Sequence, residues 1–243
     1  MRLGRVASAA GPRWVRETPD GLIPVSDPFL AFAEGRAPDD EGDAIAGTVV
    51  APVDPLVIVG IAQNGPGHVS PVQAWLKSPR TVVGSGAEVV LRRDAGAPVA
   101  EGEIAVVIGR ATHGLTARNA HEYVLGVTAV NDLSSPDRAS VDPRNFESKS
   151  GERYTPLGPW IDTEAGIDDV DLDVEVDGLL VARTGSRELP MAIRECLAYV
   201  AAWSVLGPGD VVMTGAPHSQ ASVRPGQRVT IRVGGVELVT AFV

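Results

Sequence analysis

The chain has 243 residues, 44% of them apolar, and its 21 basic and 31 acidic side chains give a formal charge of −10. This length holds one large domain or two small ones with a sizeable core, which excludes a disulfide-stapled miniature, and the negative field repels phosphate backbones and anionic membranes. With one cysteine (Cys196), no apolar leader core after Met1-Arg2-Leu3-Gly4-Arg5, and 27 glycines and 19 prolines breaking every apolar run, the expectation is a cytoplasmic protein with no nucleic-acid or membrane partner.

In chain order, Arg2 to Ser8 and Arg13 to Arg16 read as short strands. Asp27-Pro28 opens a short helix through Ala33, and Ala37 to Asp43 is an acidic, breaker-rich connection. A small β-rich N-terminal domain over residues 1–47 is therefore expected, with the main domain over 48–243. From Val49 the texture changes to strands: Leu56 to Ile61, Val89 to Leu91 after the Gly84-Ser85-Gly86 turn, and Ile104 to Ile108, ended by Gly109. Ala117 to Tyr123 reads as a short helix with Thr116 as N-cap, and Val124 to Val130 as a strand. The strongest helical pattern is Ser186 to Val205, with Leu189, Ile193, Leu197, Val200 and Ala201 at helical spacing. Turns at Gly207-Pro208-Gly209-Asp210 and Arg224-Pro225-Gly226-Gln227 bracket strands in the C-terminal fifth. The fold class is mixed α/β and rich in strand.

Of the 21 basic residues 19 are arginines, and the two lysines are Lys77 and Lys149. A chain that uses arginine wherever a solvated cation serves retains lysine where a compact, proton-exchanging ammonium is needed, or simply as leftover surface charge. Glu101-Gly102-Glu103 leads into the apolar Ile104 to Ile108 strand, and the period of two puts both carboxylates on one face. Such a pair reads either as a solvated edge or as a hard-oxygen site for Mg²⁺, Mn²⁺ or Ca²⁺. Asp132, at the end of the Val124 to Val130 strand, supplies a third acid of the same kind, and three make half an octahedral shell.

The order of these pieces resembles the fumarylacetoacetate hydrolase family. Eight segments carry the resemblance over residues 56–243: Gly60 to His68, Trp75-Leu76-Lys77-Ser78-Pro79, Glu101-Gly102-Glu103 with Val107-Ile108-Gly109, Asn131-Asp132-Leu133-Ser134, Lys149, Pro156-Leu157-Gly158-Pro159-Trp160, Gly209-Asp210 with Thr214-Gly215-Ala216-Pro217, and Pro225 to Val229. The first ~50 residues are similar to the small N-terminal domain of some bacterial members. The resemblance implies a mixed β-sheet roll, usually a homodimer, with Mg²⁺ or Mn²⁺ held by Glu101, Glu103 and Asp132. It implies a 2-oxo acid or acylpyruvate substrate whose C–C bond is hydrolysed through an enolate, with Lys149 and His68 catalytic and Lys77 and Thr214 binding substrate. Decarboxylation or tautomerisation on the same site is the alternative, and a catalytically silent carboxylate-binding or partner-subunit relative is another.

The sequence also departs from the family pattern. Hydrolytic members place a glutamate three residues after the histidine, and Pro71 stands there, with Ser70 and Gln73 the nearest polar residues. Pro136 and Ala139 replace the Arg and Gln of A-R-D-x-Q, and Ala216 removes a hydroxyl from T-G-T-P. Ser134-Ser135-Pro136-Asp137 is similar to the decarboxylase/isomerase branch that acts on dicarboxylic 2-oxo acids. Enolate chemistry on a metal tolerates these losses better than water activation does. His113 and His121 read as surface residues, His218 is open between the two roles, and Ser219 and Ser222 lack a nucleophile elbow. No phosphate-binding glycine loop points to a nucleotide.

Overall fold

Strand Val99–Ile108 is apolar on both faces from Ile104 onward because it is paired on both edges and covered on both sides. The computed structural model describes every residue except 69, 93 and 140. Around this strand lies an eleven-stranded mixed sheet whose main path runs Gly21–Pro24, Arg13–Thr18, Arg2–Val6, Ile161–Asp162, Val124–Asn131, Val99–Ile108, Val211–Met213, Ile58–Ala62 and Gln73–Lys77. Most neighbours are antiparallel, and Val211–Met213 with Ile58–Ala62 is the parallel pair on this path. The strands of the first 47 residues extend this same sheet through Leu3 opposite Ile161.

A second, five-stranded sheet, ordered Leu179–Gly185, Asp171–Val176, Arg228–Val233, Val236–Phe242 and Glu88–Val89, packs over one face of the first. The larger core lies between them and under helix Ile193–Ala201, and includes Ile104, Val106, Ile108, Val174 and Ile231. A smaller core on the opposite face gathers Ala105, Val107, Val130, Ile58 and Met213. Gly102 belongs to the inter-sheet face, where a Cβ would come within 2.6 Å of Val174 Cγ2. The sheets can approach only over a glycine, and its neighbours Glu101 and Glu103 are thereby turned to the other face.

Several boundaries differ from the sequence expectation. The acid pair lies inside its strand rather than ahead of it, because strand Gln220–Ser222 pairs with Val99, Ala100 and Glu101 and carries regular structure past them. The expected Ser186 to Val205 helix is a 3₁₀ turn, Ser186–Glu188, followed by helix Ile193–Ala201. Pro190 excludes its predecessor from the helical region, although Leu189, Ile193, Leu197 and Val200 are buried as the spacing predicts. Ala120–Tyr123 is likewise a short 3₁₀ turn, and the Thr116 amide and hydroxyl donate to Asn119 instead of capping. Helix Pro28–Ala33 forms as predicted, with the Asp27 carboxylate accepting from the Phe29 and Leu30 amides.

Candidate metal centre and its cavity

Glu103 and Asp132 are buried, Glu101 half-buried, and one carboxylate oxygen from each lies within 4.8 Å of the others. Antiparallel pairing with Val124–Asn131 makes this cluster. Asn131 sits opposite Gly102, and the Asp132 amide donates to the Glu101 carbonyl at 2.9 Å, so Asp132 emerges beside Glu101 on the same face. Asn131, of opposite parity, points back toward the second sheet, where its amide reaches Thr240 Oγ1 at 3.3 Å.

Both lysines converge on this cluster. Lys149 Nζ donates to Glu101 Oε2 at 2.9 Å and Asp132 Oδ2 at 2.6 Å. Lys77 Nζ donates to Asp132 Oδ1 and to the Tyr154 carbonyl at 3.0 Å. Burial works against the Asp132 charge, but the ammonium groups of Lys149 and Lys77 outweigh it and hold the carboxyl below its usual range. Lys149 is the mirror case: burial disfavours its charge, and Asp132, Glu101 and Glu103 overcome this, so the ammonium titrates above an ordinary lysine. For Lys77 burial wins, and its pKa lies below the ordinary value despite Asp132.

Glu103 differs. Its Oε2 accepts the Gly215 amide at 2.8 Å, but no cation lies within ion-pair distance among the described residues. Burial first, then the charge of Asp132, raises its pKa well above a normal glutamate. A buried carboxylate without a counter-ion, beside two more acids, is a donor set suited to a hard divalent cation, and the three carboxylates would hold it. Ser134 Oγ donates to Glu101 Oε1 and fixes that carboxylate from the outside.

The cluster opens into a cavity of about 330 Å³ whose wall includes Trp75, His68, Gln220 and Lys149. Gly60 lets the indole of Trp75 lie flat on the neighbouring strand, since a Cβ there would stand 2.4 Å from Trp75 Cε2. The ring centroid is 5.8 Å from Lys149 Nζ and 6.0 Å from Lys77 Nζ. Lys149 is delivered by helix Phe146–Lys149; the Ser135 amide donates to the Ser148 carbonyl at 2.7 Å and ties that helix to the end of the acid-bearing strands.

The remaining sequence candidates divide. His68 is exposed on the cavity wall, and no hydrogen bond joins its ring to another described residue. Thr214 is buried, and its hydroxyl donates to the Ile104 carbonyl at 2.8 Å, so it braces strand to turn and does not face the cavity. Lys77 also sits behind the acids, off the cavity wall. Asn64 lines the cavity with its side chain spent on Met191 and Thr214, at 2.8 to 3.0 Å. His113 and His121 are exposed away from the site, and His218 lines a separate groove. Ser134 was missed as a carboxylate brace, although its place two residues after Asp132 was the available signal.

Residues 45–243 match the family described as fumarylacetoacetate (FAA) hydrolase C-terminal. A 4-hydroxyphenylacetate degradation bifunctional isomerase/decarboxylase of Salmonella dublin is 35% identical over 140 residues, 56% of this chain and 33% of that protein. A maleylpyruvate hydrolase of Aquipseudomonas alcaligenes is 26% identical over 176 residues, 71% of this chain and 60% of that one. Among solved structures, a 5-carboxymethyl-2-hydroxymuconate delta-isomerase of Mycobacterium smegmatis superposes with a TM-score of 0.89 at 30% identity, covering 100% of this chain and 99% of that one.

Proposed function

Since the chain belongs to the fumarylacetoacetate hydrolase family, we propose that it is a divalent-metal-dependent enzyme that carries a 2-oxo acid through an enolate, by decarboxylation or isomerisation. The observation that carries this reading is the convergence of Glu101, Glu103 and Asp132 on one point with Lys149 bonded to two of them. When bound there, Mg²⁺ or Mn²⁺ supplies a Lewis acid that withdraws electron density from the 2-oxo acid. The protein contributes the rest. Lys77 and Lys149 keep Asp132 ionised, and Ser134 aims Glu101. Lys149, held charged by its carboxylate partners, acts as a fixed positive group beside developing negative charge rather than as a base. The Trp75 indole and Ile61 give that side of the cavity an apolar wall.

Hydrolysis, the first expectation from sequence, is the second reading. His68 stands on the cavity wall where it could take a proton from water. Its weakness is the missing carboxylate: Pro71 occupies the place of the family's glutamate, and among the described residues no acid is bonded to the imidazole to hold its second proton.

Proton NMR of the protein with Mg²⁺ separates the readings. With oxaloacetate we expect pyruvate and CO₂ above the metal-only rate, or with 2-oxo acids accelerated keto–enol exchange. Acetylpyruvate should release acetate slowly or not at all. Brisk acetate release lost in His68→Gln would reverse the order of the two readings.

A further inference from the structure

Among the described residues, the Gly215 amide is the one hydrogen-bond partner of Glu103, at 2.8 Å from Oε2. That N–H belongs to the peptide group between Thr214 and Gly215, whose other end is the Thr214 carbonyl. Gly215 has a φ of +102°, and a Cβ on it would stand 2.6 Å from the Asn64 carbonyl oxygen. Close approach of the two segments therefore requires glycine. Glycine also accepts φ of either sign, so the peptide in front of it is free to turn over at little cost. The Thr214 amide and hydroxyl both donate to the Ile104 carbonyl, at 3.2 and 2.8 Å, which fixes the near side of the turn but not the peptide beyond it.

Asn64 grips that peptide by its carbonyl. Its side-chain Nδ2 donates to the Thr214 carbonyl at 2.8 Å and to the Met191 carbonyl at 3.0 Å, while Oδ1 accepts the Met191 amide at 2.8 Å. The planar amide, with an acceptor and two donors, thus braces the turn against the segment leading into helix Ile193–Ala201. Asn64 is 2% exposed, so water does not readily replace it. A peptide turned over would withdraw its N–H from Glu103 and present a carbonyl oxygen to the carboxylate instead.

We propose that Asn64 is a positioning residue for the metal centre: by holding the Thr214 carbonyl it locks the Thr214–Gly215 peptide with its N–H on Glu103, and so keeps this carboxylate in place for a divalent cation. Asn64 acts through the peptide and Glu103, not by coordinating the cation. The inference rests on the reading of the triad as a metal site. Partners that orient a metal's ligands are typically worth about 10- to 100-fold in metal affinity.

Two measurements test this on the full chain after EDTA treatment. Titration with Mn²⁺, following the free ion by electron paramagnetic resonance, should show affinity falling about 10-fold or more in Asn64→Ala. Amide exchange by NMR on the metal-free protein should show the Gly215 N–H losing its protection. Thr112→Val is the control for simple destabilisation: it removes the acceptor of the Leu206 amide at 2.9 Å, beyond the opposite end of the acid-bearing strand. It should lower the melting temperature and leave both Mn²⁺ affinity and the Gly215 amide as in wild type. Should Asn64→Ala not fold, Asn64→Ser takes its place, since a short hydroxyl does not span from Met191 to Thr214. Wild-type Mn²⁺ affinity in the Asn64 variant, a Gly215 amide still protected there, or an equal loss of affinity in Thr112→Val would each overturn the inference and leave the metal reading standing. A wild type that binds no Mn²⁺ would instead remove the metal reading, and the inference with it.

Discussion

The ammonium of Lys149 is bonded to two carboxylates of the triad and lies 5.8 Å from the Trp75 ring centroid, so its position is set on three sides. A guanidinium keeps the charge but spreads it over a larger plane and cannot replace a point charge enclosed in this way. Lys149→Arg should therefore lose most of its turnover with substrate affinity less affected. Steady-state kinetics on whichever substrate the NMR comparison identifies will check this, and near-native kcat would leave Lys149 a structural ion-pair partner only. Lys77 has a different part. It is buried behind Asp132, and its loss leaves Asp132 with Lys149 alone and the Tyr154 carbonyl without its donor, so its substitution is expected to act through stability. The scarcity of lysine singled out both residues, but it could not separate the one that faces the cavity from the one behind it.

Helix Phe146–Lys149 is too short to be stable alone, and its place is set by a carboxylate outside it. Asp142 Oδ2 accepts the Glu147 amide at 2.7 Å and the Ser148 amide at 3.0 Å, satisfying donors that a helix start leaves open. Burial of Asp142 opposes its charge, but the Ser148, Glu147 and Phe146 amides outweigh this and hold its carboxyl below the usual range. A depressed native pKa adds stability above the unfolded value, near ~3.9 for aspartate, and loses it as pH falls through the native value. Asp142→Ala should accordingly cost about 0.5 to 2 kcal/mol at pH 7, and the gap from wild type should narrow at an acid pH below the native pKa of Asp142. Urea melts at the two pH values will show it; an equal gap at both would mean that the charge of Asp142 does not hold the turn.

For the molecule as a whole, the triad places a strong anionic site where two strands of the main sheet meet, and a cation bound there stabilises the folded chain only. At ~100 times its dissociation constant, Mg²⁺ or Mn²⁺ should raise stability by about 2.7 kcal/mol. Melting of EDTA-treated protein with and without each ion measures the increment, and Asp132→Asn should abolish it. A melting temperature indifferent to both ions would favour the silent relative. No helix among the described residues is long and apolar enough to cross a membrane.

Much of the site was legible in the sequence because it depends on local periodicity and chemical type. Alternation put Glu101 and Glu103 on one face, the strand-ending Asp132 supplied the third acid, and apolar spacing named the buried residues of helix Ile193–Ala201. The family motifs located both lysines. One hairpin was equally legible and went unread: Asp177-Gly178, with φ of +51° and +81°, is a two-residue turn between Asp171–Val176 and Leu179–Gly185. What only the tertiary structure decided were relations between segments far apart in the chain. Strand register set Asp132 beside Glu101, the second sheet required Gly102 between the glutamates, and packing turned the Thr214 hydroxyl onto the Ile104 carbonyl and buried Lys77 behind Asp132. A sequence pattern records which face a side chain takes along its own strand, whereas which other segment meets that face is fixed by pairing and burial across the whole chain.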